Sequence, residues 1–179
     1  MIRVMGEDAF EAIVATHHAE IHRYVARVTA RASDADDLSQ EVFLRAFRAH
    51  TSLPPGANVR AWLFAIATNL CRNHFRAESR RRRALTNARL DGEGTDGEWP
   101  ESVAVLKQTR DRIDHVIGEL PPKQRLAFTM RKIHDLDYDA IGASLSCSAE
   151  SARAHVFQAL RKIRRAVDEL TTVHPEPSR

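Results

Sequence analysis

The sequence predicts an all-α protein: two small helical domains joined by a flexible acidic linker. Three observations lead to that class. Apolar residues recur three and four positions apart through both halves of the chain, the spacing of amphipathic helices. Composition changes abruptly over Leu90 to Ser102, LDGEGTDGEWPES, which gathers three glycines, a proline and five acids. Charge is divided in the same way. Residues 1–90 hold 14 basic and 9 acidic groups, residues 91–103 hold none and 5, and residues 104–179 hold 13 and 10. The expected boundaries are 7–86 for the first domain, 87–102 for the linker and 103–170 for the second domain.

Two basic blocks around an acidic spacer point to a polyanionic partner, nucleic acid or an anionic surface, although the net charge is only +3. An apolar fraction of 43% with 28% charged residues is enough for a core in a soluble protein. The opening MIRVMGEDAF has no apolar h-region, and no apolar run has membrane-spanning length, so a cytoplasmic protein without membrane insertion is expected. Cys71 and Cys147 are the only cysteines and have no CxxC partner. Neither a disulfide framework nor a zinc site is supported, and both thiols are expected to stay reduced.

The first helix is expected over Glu7 to Ala32, which contain no Gly or Pro and place Phe10, Ile13, Val14, Ile21, Tyr24, Val25 and Val28 on one stripe. His18 and His22 stand four apart, as metal ligands on a helix do, but without a third ligand they read as surface or packing residues. The second helix spans Asp34 to Phe47, DADDLSQEVFLRAF, with Ser33 as its cap and Asp36 in its first turn. Leu38, Val42 and Ala46, with Phe43 and Phe47 alongside, form its apolar stripe. Asp37, Gln40, Glu41 and Leu44 share another face. Acid, amide and apolar groups mixed on one face describe a docking surface for a basic partner. The same spacing also describes an ordinary solvated face.

His50 to Asn58, HTSLPPGAN, is a loop by composition, with Asn58 placed to cap the third helix. That helix runs from Val59 to about Arg80 on a stripe of Trp62, Leu63, Ile66, Leu70 and Phe75. Its remaining surface carries Arg60, Asn69, Arg72, Asn73, Arg76 and Arg80 to Arg83. Asn, aromatic and Arg side chains along one helix are groups that hydrogen-bond to and stack on unpaired bases. Arg80 to Arg83 also fit a solvated helix end.

Beyond the linker, a helix is expected from Val103 to Leu120, ended by Pro121-Pro122, which suit the first turn of the next helix, Lys123 to Ile133. Asp137 is placed to cap Tyr138 to Leu145, and Ser146-Cys147-Ser148 forms a tight turn. Ser148 then caps the last helix, Ala149 to about Leu170. Its apolar stripe is Ala152, Val156, Ala159 or Leu160, Ile163 and Val167. Ser151, Arg153, His155, Arg161 and Arg165 lie opposite, with Gln158 at the flank. A short helix, a three-residue turn and a longer helix that starts with small polar and basic residues make the helix-turn-helix pattern. There the second helix reaches base edges in the major groove.

Taken together, the chain resembles the extracytoplasmic-function (group IV) sigma factors of bacterial RNA polymerase. DADDLSQEVFLRAF looks like their region 2.2, and NVRAWLFAIATNLCRNHFR like regions 2.3 and 2.4. IGELPPKQRLAFTMRKIHDLDYDAIGASL and SCSAESARAHVFQALRKIRR look like region 4. The collinear order of D-L-x-Q-E-x-F, W-L-x-x-I-A-x-N and L-P-P-K-Q-R carries the likeness, which runs from about Phe10 to Val167.

The resemblance implies no catalytic chemistry and no cofactor or metal. It implies that Asp37, Gln40, Glu41, Phe43 and Leu44 bind core RNA polymerase, on the clamp helices of its largest catalytic subunit. It places Asn58, Arg60, Asn69, Asn73, Arg76 and Arg80 on a melted, single-stranded −10 element of promoter DNA, with Arg60 and Arg80 on phosphates. Ser148, Ser151, Arg153, His155, Gln158 and Arg161 fall on the double-stranded −35 element. An anti-sigma factor covering the same faces is a further implied partner. The chain departs from the usual G-T-V-K-S-R-L opening of the recognition helix, with Glu150-Ser151-Ala152-Arg153-Ala154-His155-Val156 instead, so the resemblance carries over the binding mode but not a preferred −35 sequence.

Two other classes fit less of the chain. A stand-alone helix-turn-helix regulator needs a dimerisation or sensing module, and it leaves the face around Gln40 without a role. A nucleic-acid enzyme needs a second carboxylate motif beside Asp34, Asp36, Asp37 and Glu41.

Overall fold

The computed structural model describes residues 2–29, 32–86 and 113–172. The expected linker and the start of the helix after it lie outside the described residues. Seven helices make up most of the described residues: α1 (Ile2–Thr29), α2 (Ala32–Ala49), α3 (Val59–Thr86), α4 (described over 113–119), α5 (Pro122–Lys132), α6 (Tyr138–Leu145) and α7 (Ala149–Thr172). A single 3-10 turn, His50–Ser52, comes after α2.

Three of the expected caps form. The Asn58 carboxamide oxygen accepts from the Ala61 amide at 2.9 Å, the Asp137 carboxylate from the Ala140 amide at 2.7 Å, and the Ser148 hydroxyl from the Ser151 amide at 3.1 Å. Each satisfies an amide that its helix leaves unpaired. Other ends differ. α2 includes Ala32 and Ser33, so Ser33 sits inside the first turn and not ahead of it. α1 begins earlier than expected, and α3 continues six residues past Arg80, to Thr86.

The N-terminal half is built on α3. Ile21, Tyr24, Val25 and Val28 of α1 and Ala35, Val42 and Ala46 of α2 are buried with Leu63, Phe64, Ala67 and Cys71 of α3. In the C-terminal half, Leu126 and Met130 of α5, Ile141 and Leu145 of α6, and Ala152 and Val156 of α7 are buried together. The two sets belong to one continuous cluster, because α5 and α6 also pack on α3.

That packing explains why the buried face of α3 is wider than the expected stripe. Phe64, Ala67, Thr68 and Cys71 are covered as fully as Leu63. The Tyr24 hydroxyl bonds the Thr68 hydroxyl at 2.9 Å, and the Thr68 hydroxyl points to Met130 Sδ at 3.6 Å. Arg125 of α5 donates to the Val28 carbonyl at 3.0 Å and also to the Gly118 carbonyl, while its guanidinium lies 5.2 Å from the centre of the Phe75 ring.

The turn between α6 and α7 depends on two backbone choices. Ser146 takes the left-handed conformation, φ 54° and ψ 52°, at the end of α6. Gly142 lets the turn close on the helix: a Cβ there would stand 2.8 Å from the Cys147 carbonyl oxygen, inside any real contact. The Cys147 amide instead donates to the Gly142 carbonyl at 2.9 Å.

Candidate nucleic-acid interface and docking groove

Helices α1 and α2 frame an open groove of about 710 Å³. Phe10, Val14, Phe43, Leu44 and Phe47 give it an apolar lining, and Asp36, Asp37 and Gln40 line it as well. Phe10 and Phe47 meet edge to face at 5.2 Å, and the His18 ring lies 5.5 Å from Phe43. Four of the five residues expected to dock on polymerase line this groove; the fifth, Glu41, is paired with Arg45 at 2.6 Å.

The two apolar members differ in what they do. Phe43 is only 8% exposed and belongs to the core, whereas Leu44 is 45% exposed and available to a partner. An acidic rim over an aromatic floor suits an amphipathic segment with apolar and basic residues. Sequence reasoning missed the contribution of α1, namely Phe10, Val14, His18 and His22. His22 Nε2 bonds Asp36 Oδ1 at 2.8 Å, which ties the two helices together beside the groove.

The outer face of α3 is basic. Arg72, Asn73, Arg76, Arg80 and Arg83, with Lys123 of α5, line a second cleft of about 630 Å³ that contains no acidic residue. Of the residues expected on the −10 strand, Asn73, Arg76 and Arg80 meet there, and Asn69 is exposed one turn earlier. Asn58 is occupied as a cap. Arg60 faces inward: it bonds both carboxylate oxygens of Glu20, at 3.0 and 2.6 Å, and the His134 carbonyl. That pairing holds the Arg60 guanidinium above and the Glu20 carboxyl below its ordinary value. Lys123 could not have been placed in this cleft from spacing, because it comes from the other half of the chain.

The third surface is the exposed side of α7. Ser151, Arg153, Gln158 and Arg161 are all open to solvent. The Ser148 hydroxyl bonds that of Ser151 at 3.0 Å, and Gln158 accepts from the Gln124 amide at 2.7 Å. His155 is the inward member of the set; partial burial and the nearby Lys123 lower its imidazole from the usual value and favour the neutral form. Phe157 is 65% exposed, four residues after Arg153 on the same helix. Sequence reasoning passed over it; the signal was an aromatic residue off the apolar stripe of Ala152, Val156 and Ala159.

Neither cysteine belongs to these surfaces. Cys71 is fully buried, and burial pushes its thiol up to about 12, so it stays protonated and inert near neutral pH. Among the described residues, no helix is long and apolar enough to cross a membrane.

Comparison with known proteins agrees with this geometry. The family description Sigma-70 region 2 matches residues 13–81, and Sigma-70, region 4 matches residues 110–163. The chain belongs to the sigma-70 family of RNA polymerase sigma factors, in its extracytoplasmic-function branch. Among its relatives, the RNA polymerase sigma-H factor of Pseudomonas aeruginosa is 28% identical over 169 residues, covering 90% of this chain and 88% of that one. The ECF RNA polymerase sigma-E factor of Escherichia coli is 26% identical over 171 residues, 92% of this chain and 89% of that one.

Solved structures that share the fold include two complexes. The sigma factor RpoE of Bartonella quintana, in a co-crystal with the anti-sigma factor NepR, superposes with a TM-score of 0.71 at 17% identity over 89% of this chain and 97% of that one. CnrH, in complex with the cytosolic domain of CnrY, gives 0.66 at 21% identity over 91% and 90%. As a sigma factor the chain is a non-catalytic transcription initiation factor.

Proposed function

We propose that this chain binds core RNA polymerase through the α1–α2 groove and directs it to promoters by reading both of their elements, acting in the bacterial cytoplasm. The observation that carries the reading is the coexistence of an acidic-rimmed apolar groove with two separate basic, solvent-facing helical surfaces. A free-standing DNA-binding regulator has no use for the groove.

On this reading, Asn69, Asn73, Arg76 and Arg80 engage the melted −10 strand. Unpairing costs a few kcal/mol per base, offset by stacking and edge contacts of about 1–3 kcal/mol per base. Helix α7 enters the major groove at −35, where Arg153 suits the acceptor pair of a guanine and the exposed Phe157 suits a thymine methyl. Arg161 adds phosphate affinity without sequence information. An anti-sigma factor is the natural antagonist, since RpoE and CnrH, which share this fold, were both solved as complexes, one of them with a protein of that name.

The test is transcription from a genomic promoter library by sigma-free core polymerase, with and without this chain. New start sites preceded by a shared two-part motif support the reading. A folded chain that yields no new initiation and pulls down no polymerase moves the assignment to a stand-alone regulator.

A further inference from the structure

Arg153, on the exposed face of the recognition helix, is placed by an aromatic ring. Its guanidinium carbon stands 4.9 Å from the centre of the Tyr138 ring. A second guanidinium, that of Arg131, stands 5.3 Å from the same centre. Arg131 is itself fixed, donating to Asp135 Oδ1 at 2.6 Å and to the Leu136 carbonyl at 3.2 Å. The ring is fixed as well: Tyr138 opens α6 directly after the Asp137 cap, is half-buried, and packs on the core cluster.

A guanidinium is drawn to the negative face of an aromatic ring, and solvent screens the repulsion between the two arginines. A free Arg side chain samples many rotamers, but bidentate contact with a base needs one plane and one direction. Confining the side chain before DNA arrives removes part of that ordering cost from association.

We infer that Tyr138 is a positioning residue for duplex recognition: its ring stacks the Arg153 guanidinium and presets the plane in which Arg153 meets a base edge. The inference rests on the reading of α7 as the −35 recognition helix. Tyr138 contributes through Arg153 and not by touching the base, so its removal should blur discrimination at the base pairs Arg153 reads and leave the others sharp.

The experiment assembles the full chain with core polymerase and selects duplexes from a pool randomised across the −35 region. Arg153→Ala should flatten base preference at one or two adjacent pairs. Tyr138→Leu should weaken preference at those same pairs about three- to tenfold, and Tyr138→Phe, which keeps the ring, should restore it. Tyr138→Met repeats the test with a different apolar replacement. Thermal melting of every variant accompanies the selection.

Preference at those pairs as sharp in the Leu and Met variants as in the parent overturns the inference. So does a Phe variant as impaired as Leu, or a loss spread over every pair with a lowered melting temperature. If Arg153→Ala changes nothing at any pair, the recognition-helix reading itself has failed, and the role of the ring fails with it.

Discussion

Arg60 and Glu20, forty residues apart in sequence, form a two-point ion pair, with Nε and Nη2 of the guanidinium on separate carboxylate oxygens at 3.0 and 2.6 Å. The same Nη2 donates to the His134 carbonyl, and His134 Nδ1 lies 3.3 Å from Glu20 Oε1. The contact therefore joins α1, α3 and the segment between α5 and α6. It commits Nε and Nη2 of an arginine that promoter reading would assign to a phosphate, while the side chain stays partly open to solvent.

Glu20→Ala should loosen the C-terminal half from α3 while leaving the helices intact. Both partners keep some solvent contact, so the expected cost is about 1 kcal/mol. Small-angle scattering should report a larger radius of gyration for the variant. An unchanged radius with unchanged stability would show that the apolar contacts around Thr68 and Met130 hold the halves together without the ion pair.

The same cluster makes stability depend on pH. Burial lowers the His134 imidazole from its ordinary 6.5, with Glu20 opposing the shift, and Arg60 lowers the Glu20 carboxyl from 4.5. Both groups bind protons more readily in the unfolded chain, so their contribution is complete above about 6.5. It declines below that as His134 is forced to charge among Tyr24, Phe64, Arg23 and Arg60, and declines again as Glu20 protonates. Urea midpoints between about pH 7.5 and pH 5 should fall less steeply for His134→Gln than for the parent. An identical slope would place the titrating group elsewhere.

Phe43 and Leu44 are neighbours with separable roles. Phe43→Ala empties a core position and should cost about 3–5 kcal/mol, losing polymerase binding through unfolding. Leu44→Arg alters an exposed groove residue and should change stability by no more than about 0.5 kcal/mol. It should nevertheless weaken binding of core polymerase at least tenfold, as should Asp37→Lys with Glu41→Lys. Calorimetry beside a polymerase pull-down distinguishes the two cases, and a fully binding Leu44→Arg would remove the groove from the interface.

Gly142→Ala places a methyl against the Cys147 carbonyl oxygen. The turn must open to admit it, at about 1–3 kcal/mol, and the angle between α6 and α7 changes with it. Duplex promoter binding should fall further than the loss of folded protein accounts for. Binding in proportion to the folded fraction would show that the turn adapts without moving α7.

Most of the architecture is legible residue by residue. The caps at Asn58, Asp137 and Ser148 and the three-residue turn before α7 depend on groups three or four positions apart, so their chemistry is complete within one stretch of chain. The acid–amide face of α2 follows from helical spacing alone, and so does the basic face of α7. Less legible were the helix ends, because propensity alone does not stop α3 at Arg80 or start α1 at Glu7.

By itself the sequence determined the helical class, the order of the helices, the helix-turn-helix and the family, since these reside in local periodicity and collinear motifs. Only the tertiary structure decided that α3 is covered on two sides, that Arg60 is held by Glu20 and His134 and that Lys123 joins the basic cleft of α3. It alone separated buried Phe43 from exposed Leu44, and set Tyr138 beneath Arg153. Many of these facts are contacts between distant segments, 40 residues apart for Arg60 and Glu20 and 114 for Glu20 and His134. A helical repeat specifies which residues share a face; which neighbour covers that face depends on how whole helices pack, and that is settled only when the core closes.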